Sequence, residues 1–118
     1  MSYYPLTSIP DYMGMDALLT EEHKLIRQSV RDWVESFVMP KIDEAAQNHT
    51  DLPNLMQELG KIGALGPYIP EEYGGAGLDQ ISYGLIMQEL ERGDSAVRSA
   101  ASVQSSLVMF PINEFGSE

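Results

Sequence analysis

The sequence contains no cysteine. Disulfides, thiolate metal sites and a cysteine nucleophile are thereby excluded, and the composition suits a reducing compartment. Basic residues are scarce. Seven Lys and Arg stand against 18 Asp and Glu, a net charge of -11. Phosphate contacts need clustered cations, so neither a nucleic-acid nor an anionic-membrane surface is expected. No apolar run approaches the roughly 20 residues that span a bilayer. The opening stretch, MSYYPLTSIPDYMGMDALLT, has no arginine and no basic start before an apolar core, so it reads as neither a signal nor a transit peptide. Period-two alternation bounded by turns is also missing, which leaves no strand signal.

What is present is 118 residues with 43% hydrophobic and 21% charged side chains. That is globular composition and one domain's worth of chain. Residues 1–17 hold Pro5, Pro10 and Gly14 among tyrosines and methionines. They read as an irregular arm, packed if at all through Tyr3, Tyr4 and Tyr12. From residue 18 onward the period is helical. Thr20 suits an N-cap, and Glu21 and Glu22 suit the positive end of a helix dipole. Leu25, Ile26, Val30, Trp33, Val34, Phe37 and Val38 follow at three- and four-residue steps, an amphipathic stripe that Pro40 should end. A short helix is expected over 42–47. In the next helix Leu52, Leu55, Met56, Leu59 and Ile62 share one face, with Pro53 near its start and Gly60 and Gly63 closing it. The segment PYIPEEYGGAGLD is too rich in proline and glycine for regular structure. Asp79 can cap a third long helix with Ile81, Leu85, Ile86 and Leu90 inward, stopped by Gly93. Ser95 then caps a last helix that ends at about Phe110, before Pro111. The expected fold is all-α, an orthogonal or up-down bundle of four to five helices.

The last helix is unusual. From Ser95 to Ser106 it carries five serines, three alanines and one charged residue, Arg98. Two uses are open: close helix packing, or the wall of a pocket. Arg98 lies near the positive end of its helix, where the dipole does not favour a cation. A bound anion would be attracted by both, and a guanidinium matches a carboxylate fork. Glu91 could meet Arg98 if the Gly93–Asp94 turn folds the helices back. His23 and His49 have no acidic neighbours at ligand spacing, so no metal site is expected. No His–Asp pair is placed to serve a serine nucleophile. The glycines of YGGAG follow no strand, so they form a turn and not a phosphate loop. The tripeptide RGD at Arg92–Asp94 straddles a helix end and needs no adhesive function to explain it.

The stretches LLTEEHKLIRQSVRDWVESFVMPKIDEA and IPEEYGGAGLD resemble acyl-CoA dehydrogenases. The stretch ELERGDSAVRSAASVQSSLVMFPINEFGSE is most similar to glutaryl-CoA dehydrogenases, in which an Arg-Ser pair opens a serine-rich helix. The resemblance covers 18–118. It implies the N-terminal helical domain of an FAD flavoenzyme whose β domain and C-terminal helical domain follow. Such enzymes remove an α proton from an acyl-CoA and pass hydride from the β carbon to the flavin. Glutaryl enzymes also release carbon dioxide, giving crotonyl-CoA, and pass electrons to an electron-transfer flavoprotein. By this resemblance Arg98 binds the distal carboxylate, Ser99 touches the substrate, and Glu91 lines the pocket.

The family usually reads Asp-Ser-Gly-Tyr-Arg-Ser where this chain reads DSAVRS. Ala96 and Val97 therefore leave the acyl group open to other dicarboxylates, branched acids or another acyl-CoA. The catalytic base and nearly all flavin contacts of the family lie past residue 118. The chain is thus expected to be a domain, a truncated product or a remnant, without its own catalytic residue, inactive and without FAD. A homo-oligomer is expected. Localisation is expected in a bacterial cytoplasm, or in the mitochondrial matrix after transit-peptide removal. The alternative from a different class is a free-standing helical interaction domain without catalysis.

Overall fold

The computed structural model describes residues 11–118. The expected packing of Tyr3 and Tyr4 lies outside them, and Tyr12 is exposed. The described end of the arm is held by charge. A short 3-10 helix, Met15–Leu18, places Asp16 against Arg27 in a two-point ion pair of 2.6 and 3.0 Å.

Thr20 starts the bundle as expected. Its hydroxyl accepts the His23 N–H, and His23 Nδ1 accepts the Thr20 N–H, each at 3.2 Å. This reciprocal capping satisfies two donors that a helix start otherwise leaves unpaired. Helix α1, Glu21–Trp33, runs directly into a π-helical turn, Val34–Val38. Val30, Val34 and Val38 are buried at four-residue steps, as the stripe requires. Leu25 departs from it, 71% exposed. It lies at the edge of the stripe, and the helix that covers α1 shields only one face of it. Helix α2, Ile42–Asn48, and helix α3, Leu55–Lys61, follow. Leu59 is fully buried, whereas Met56 is exposed. Gly63, at φ +74°, makes the left-handed turn after α3, while Gly60 stays inside the helix. One glycine, not two, therefore closes it.

The proline- and glycine-rich loop has a single 3-10 turn, Glu71–Tyr73. It closes on itself through Gly77 N–H to Ile69 O at 3.0 Å and Leu78 N–H to Pro67 O at 2.9 Å. Gly75 is obligatory, because a Cβ there would sit 2.0 Å from the Ile69 carbonyl oxygen. Helix α4, Gln80–Gly93, begins where Asp79 accepts the Ser82 N–H at 2.8 Å. Ile86 and Leu90 are buried; Ile81 is 53% exposed, and Ser82 takes the inward position beside the cap. Helix α4 packs along α1. Gly93 permits close approach at its end, since a Cβ there would meet Val34 Cγ1 at 2.6 Å.

Two expectations about the last helix fail. Helix α5, Ser95–Ser102, is capped by Asp94 and not by Ser95: the Asp94 carboxylate accepts the N–H of Ala96 at 2.8 Å and of Val97 at 3.1 Å. Ser95 is already helical, and its hydroxyl is engaged elsewhere. Nor does the chain stop at Pro111. Helix α5 passes into a π-helical segment, Val103–Met109, and on into α6, Phe110–Phe115. Pro111 falls in the first turn of α6, directly after the π-helical segment, and the helical run continues through it. The result is all-helical, with no strand among the described residues. If the segments that run on through π turns are taken as continuous, it has five helical rods. Their core gathers Val30, Val34, Val38, Leu59, Ile86, Leu90, Val97 and Ala101.

Beneath that core edge lies a charged group. Glu89, its side chain 3% exposed, takes the Arg31 guanidinium at 2.9 and 3.2 Å. Arg92 Nε lies 2.9 Å from the same carboxylate, and Glu35 stands 3.6 Å from Arg92 Nη2. The Arg92 nitrogens are buried without an aligned hydrogen bond, so that attraction is between charges.

Candidate functional site

The Asp94 cap turns the chain from α4 into α5 and brings Arg98 back over the last turn of α4. Arg98 Nε donates to Glu91 Oε2 at 2.6 Å. The other Glu91 oxygen accepts the Ser95 hydroxyl at 2.6 Å. Arg98 Nη1 donates to Ser102 Oγ at 3.1 Å, one helical turn on, and the Ser102 hydroxyl donates to the Ser99 carbonyl at 3.3 Å. Arg98 Nη2 has no partner among the described residues. The Ser95 hydroxyl, and after it Arg98, holds the Glu91 carboxyl below its ordinary range. Glu91 is therefore an anion at neutral pH. With Asp94 it supplies the negative charge that offsets a cation at the positive end of α5.

The structure thus joins Glu91 and Arg98, as the turn predicts. The pair is partly solvated, with Arg98 35% exposed. Such pairs contribute little stability, so its meaning lies in orientation. Ser99 is half-buried beside it. Its carbonyl, not its hydroxyl, joins the network. Ser95 and Ser102 are partners that sequence reasoning missed. The signal was there for Ser102, which lies four residues from Arg98 on the same helix, a spacing that puts side chains on one face. Glu91 and Ser95 lie on different helices, and the turn between them brings them together.

Ala96 and Val97 lie apart from this network. Val97 is 1% exposed and belongs to the core cluster, and Ala96 is exposed. Neither side chain is a polar partner of Arg98. The later serines serve packing. Ser105 is fully buried, accepts the Gly66 N–H at 2.9 Å and donates to Ala64 O at 3.4 Å. Tyr68 donates to the Ser105 carbonyl at 2.7 Å, and burial pushes its phenol up. Tyr83 pairs with Ser106. The second half of this small-residue helix lets the loop approach, and the first half surrounds Arg98.

One histidine departs from expectation. His23 does have an acid beside it, since its Nε2 lies 2.8 Å from Asp79 Oδ2. Because Nδ1 accepts from Thr20, the ring proton sits on Nε2 and is donated to Asp79. The Ser82 N–H first, and His23 second, lower the Asp79 carboxyl to about 2. The fold, not sequence spacing, brings this pair together, and it ties the start of α1 to the start of α4.

A cavity of about 540 Å³ lies at the other end of the last rod, lined by Leu65, Ile69, Tyr73, Met109, Ile112 and Glu118 among others. Arg98 is not part of it. Its lining is mostly apolar, and its one charged member, Glu118, is acidic.

An all-helical domain with an oriented arginine at an interhelix turn defines the class structurally. Comparison with known proteins places it. Residues 20–118 match the family described as acyl-CoA dehydrogenase, N-terminal domain. The chain belongs to the acyl-CoA dehydrogenase family. Two crystal structures of glutaryl-CoA dehydrogenase from Mycobacterium smegmatis are similar to it at 41% identity. One, with TM-score 0.82, covers 92% of this chain and 28% of that one. The other, in complex with FADH2, has TM-score 0.83 and covers 87% and 26%. The short-chain specific acyl-CoA dehydrogenase of Rattus norvegicus mitochondria is 34% identical over 99 residues, 84% of this chain and 24% of that protein. The chain spans about a quarter of the length of the curated relatives quoted.

Proposed function

We propose that residues 18–118 form the N-terminal domain of an FAD-dependent acyl-CoA dehydrogenase acting on an acyl-CoA with a distal carboxylate, glutaryl-CoA foremost. The overall reaction would be its oxidation and decarboxylation to crotonyl-CoA. One observation carries this reading: Arg98 is held at Nε and Nη1 with Nη2 left over. A free donor edge beside half-buried small residues suits a carboxylate at the end of an apolar acyl chain. Burying such a charge without a partner costs several kcal/mol or more.

In this reading Arg98 anchors the substrate carboxylate, Glu91 fixes the anchor's direction, and Ser99 offers a polar edge beside it. FAD supplies hydride acceptance in this family, and the parts of such an enzyme beyond this domain would hold it. An electron-transfer flavoprotein would take the electrons, and the whole would assemble as a homo-oligomer. A bacterial cytoplasm or a mitochondrial matrix is the matching compartment, and relatives of both kinds support it. No helix among the described residues is long and apolar enough to cross a membrane.

The similarity to short-chain acyl-CoA dehydrogenases favours a second reading, with an uncharged short acyl group in the same slot. Arg98→Met separates the two. In an enzyme carrying this domain, the substitution should lower kcat/KM for glutaryl-CoA about a hundredfold more than for butyryl-CoA, the scale of a lost charge-assisted hydrogen bond. Equal losses on the two substrates would overturn the carboxylate reading.

A further inference from the structure

Two groups in this chain touch Arg98, Glu91 and Ser102, and the resemblance singles out only Glu91, as a pocket acid. Ser102 is the less obvious one. Its hydroxyl has one proton, and the structure commits that proton to the Ser99 carbonyl at 3.3 Å. The lone pairs of Ser102 Oγ are then turned outward, where Arg98 Nη1 donates to them at 3.1 Å. The polarity is fixed: Ser102 accepts from Arg98 and has no donor left for an incoming carboxylate. Glu91 Oε2 holds Nε at 2.6 Å, on the other side of the guanidinium. Two points of attachment on a planar group stop its swing about the Cδ–Nε bond and oppose the flip about Nε–Cζ that resonance already hinders. A single point leaves the group a pivot.

We propose that Ser102 is a positioning residue for substrate specificity. Through Nη1 it clamps the Arg98 guanidinium so that Nη2 meets the distal carboxylate of an acyl thioester. This rests on the carboxylate reading given above and deepens it. Ser95 acts one step further back, on the Glu91 oxygen that Arg98 does not use. Without Ser102 the guanidinium pivots on Glu91 and offers its free edge in many directions. Binding then pays the ordering cost at the moment the ligand arrives.

The test uses the 118-residue chain and two ligands, glutaryl-pantetheine and its ω-carboxamide, which match in shape and differ in charge. Dissociation constants come from NMR titration of the Arg98 Nε–H and backbone amide signals. The wild-type chain should favour the carboxylate. Ser102→Ala should cut that preference about fivefold, the scale of one hydrogen bond, with carboxamide binding unchanged and Nη1/Nη2 exchange accelerated. Ser102→Thr keeps the hydroxyl and should restore the preference. A purely structural role for Ser102 would weaken both ligands alike, which would overturn the proposal. Wild-type preference retained in full by Ser102→Ala would overturn it while leaving the carboxylate reading standing. A wild-type chain with no preference for the carboxylate would overturn both.

Discussion

Arg98 Nε and Glu91 Oε2, seven positions apart in the sequence, lie 2.6 Å apart across the turn between α4 and α5. The pair is not a stability device, because both members are partly solvated. Its geometry fixes the direction of the guanidinium. Glu91 takes the one nitrogen nearest the backbone stem and leaves the far end of the guanidinium outward. Removing Glu91 should therefore change specificity more than stability. Glu91→Ala is expected to move the thermal midpoint by less than about 2 °C, in line with the small worth of exposed ion pairs. The carboxylate-over-carboxamide preference of the chain should fall by about tenfold. Differential scanning calorimetry and the ligand titration measure the two effects separately.

The buried charged group at the α1–α4 contact predicts the opposite balance. Glu89 faces two guanidiniums, from Arg31 and Arg92, in a site nearly closed to water. Neutralising it leaves two cations without their shared anion. Glu89→Gln should cost about 3–5 kcal/mol, the scale for breaking a buried pair from one side. Glu21→Gln, at an exposed ion pair of α1, should cost less than about 0.5 kcal/mol. Urea unfolding followed by circular dichroism gives both values. A cost below 1 kcal/mol at Glu89 would mean that water reaches the group.

The Asp79 carboxyl, lowered to about 2 by the Ser82 N–H and His23, links stability to acid. Its folded value lies below the ordinary 3.8. The folded state therefore binds this proton less readily than the unfolded one. The associated stability is present in full above pH 3.8 and is lost as pH falls from there through about 2. Urea midpoints of wild type and Asp79→Asn should differ at pH 7. The gap should narrow below pH 3.8 and close near pH 2. A gap independent of pH would show that the cap works without its charge.

Much of this fold is legible because its causes are local. Thr20 and Asp79 cap helices through side chains that reach only three residues on. Val30, Val34 and Val38 announce a buried face by spacing alone. The joining of Glu91 to Arg98 needed only a turn between two helices. What escaped was set by distance or by backbone register. His23 meets Asp79 across 56 residues, and Glu89 meets Arg31 across 58. No periodicity reveals that a glutamate on a helix flank will be buried, because the partner that permits it is on another element. Leu25 and Ile81 carry the right period, yet their face of the helix is not covered among the described residues. The π turns moved Pro111 to a position where it no longer ends a helix.

The cap of α5 gives the sharpest contrast between neighbouring residues. Serine is a common N-cap, which is why Ser95 is the natural expectation. The structure gives that work to Asp94, whose carboxylate accepts two successive backbone N–H groups. A carboxylate there also complements the positive end of the helix and the nearby Arg98. Ser95 spends its hydroxyl on Glu91. Asp94→Ala should therefore destabilise the chain by about 1–2 kcal/mol, the upper range for a lost cap. Ser95→Ala should cost less than about 0.5 kcal/mol, since its bond is exposed. It should instead raise the Glu91 pKa, because the first support of the anion is gone. Carboxyl ¹³C shifts followed against pH read that change directly. If Ser95→Ala proved the more destabilising of the two, the helix would begin one residue later than the structure places it.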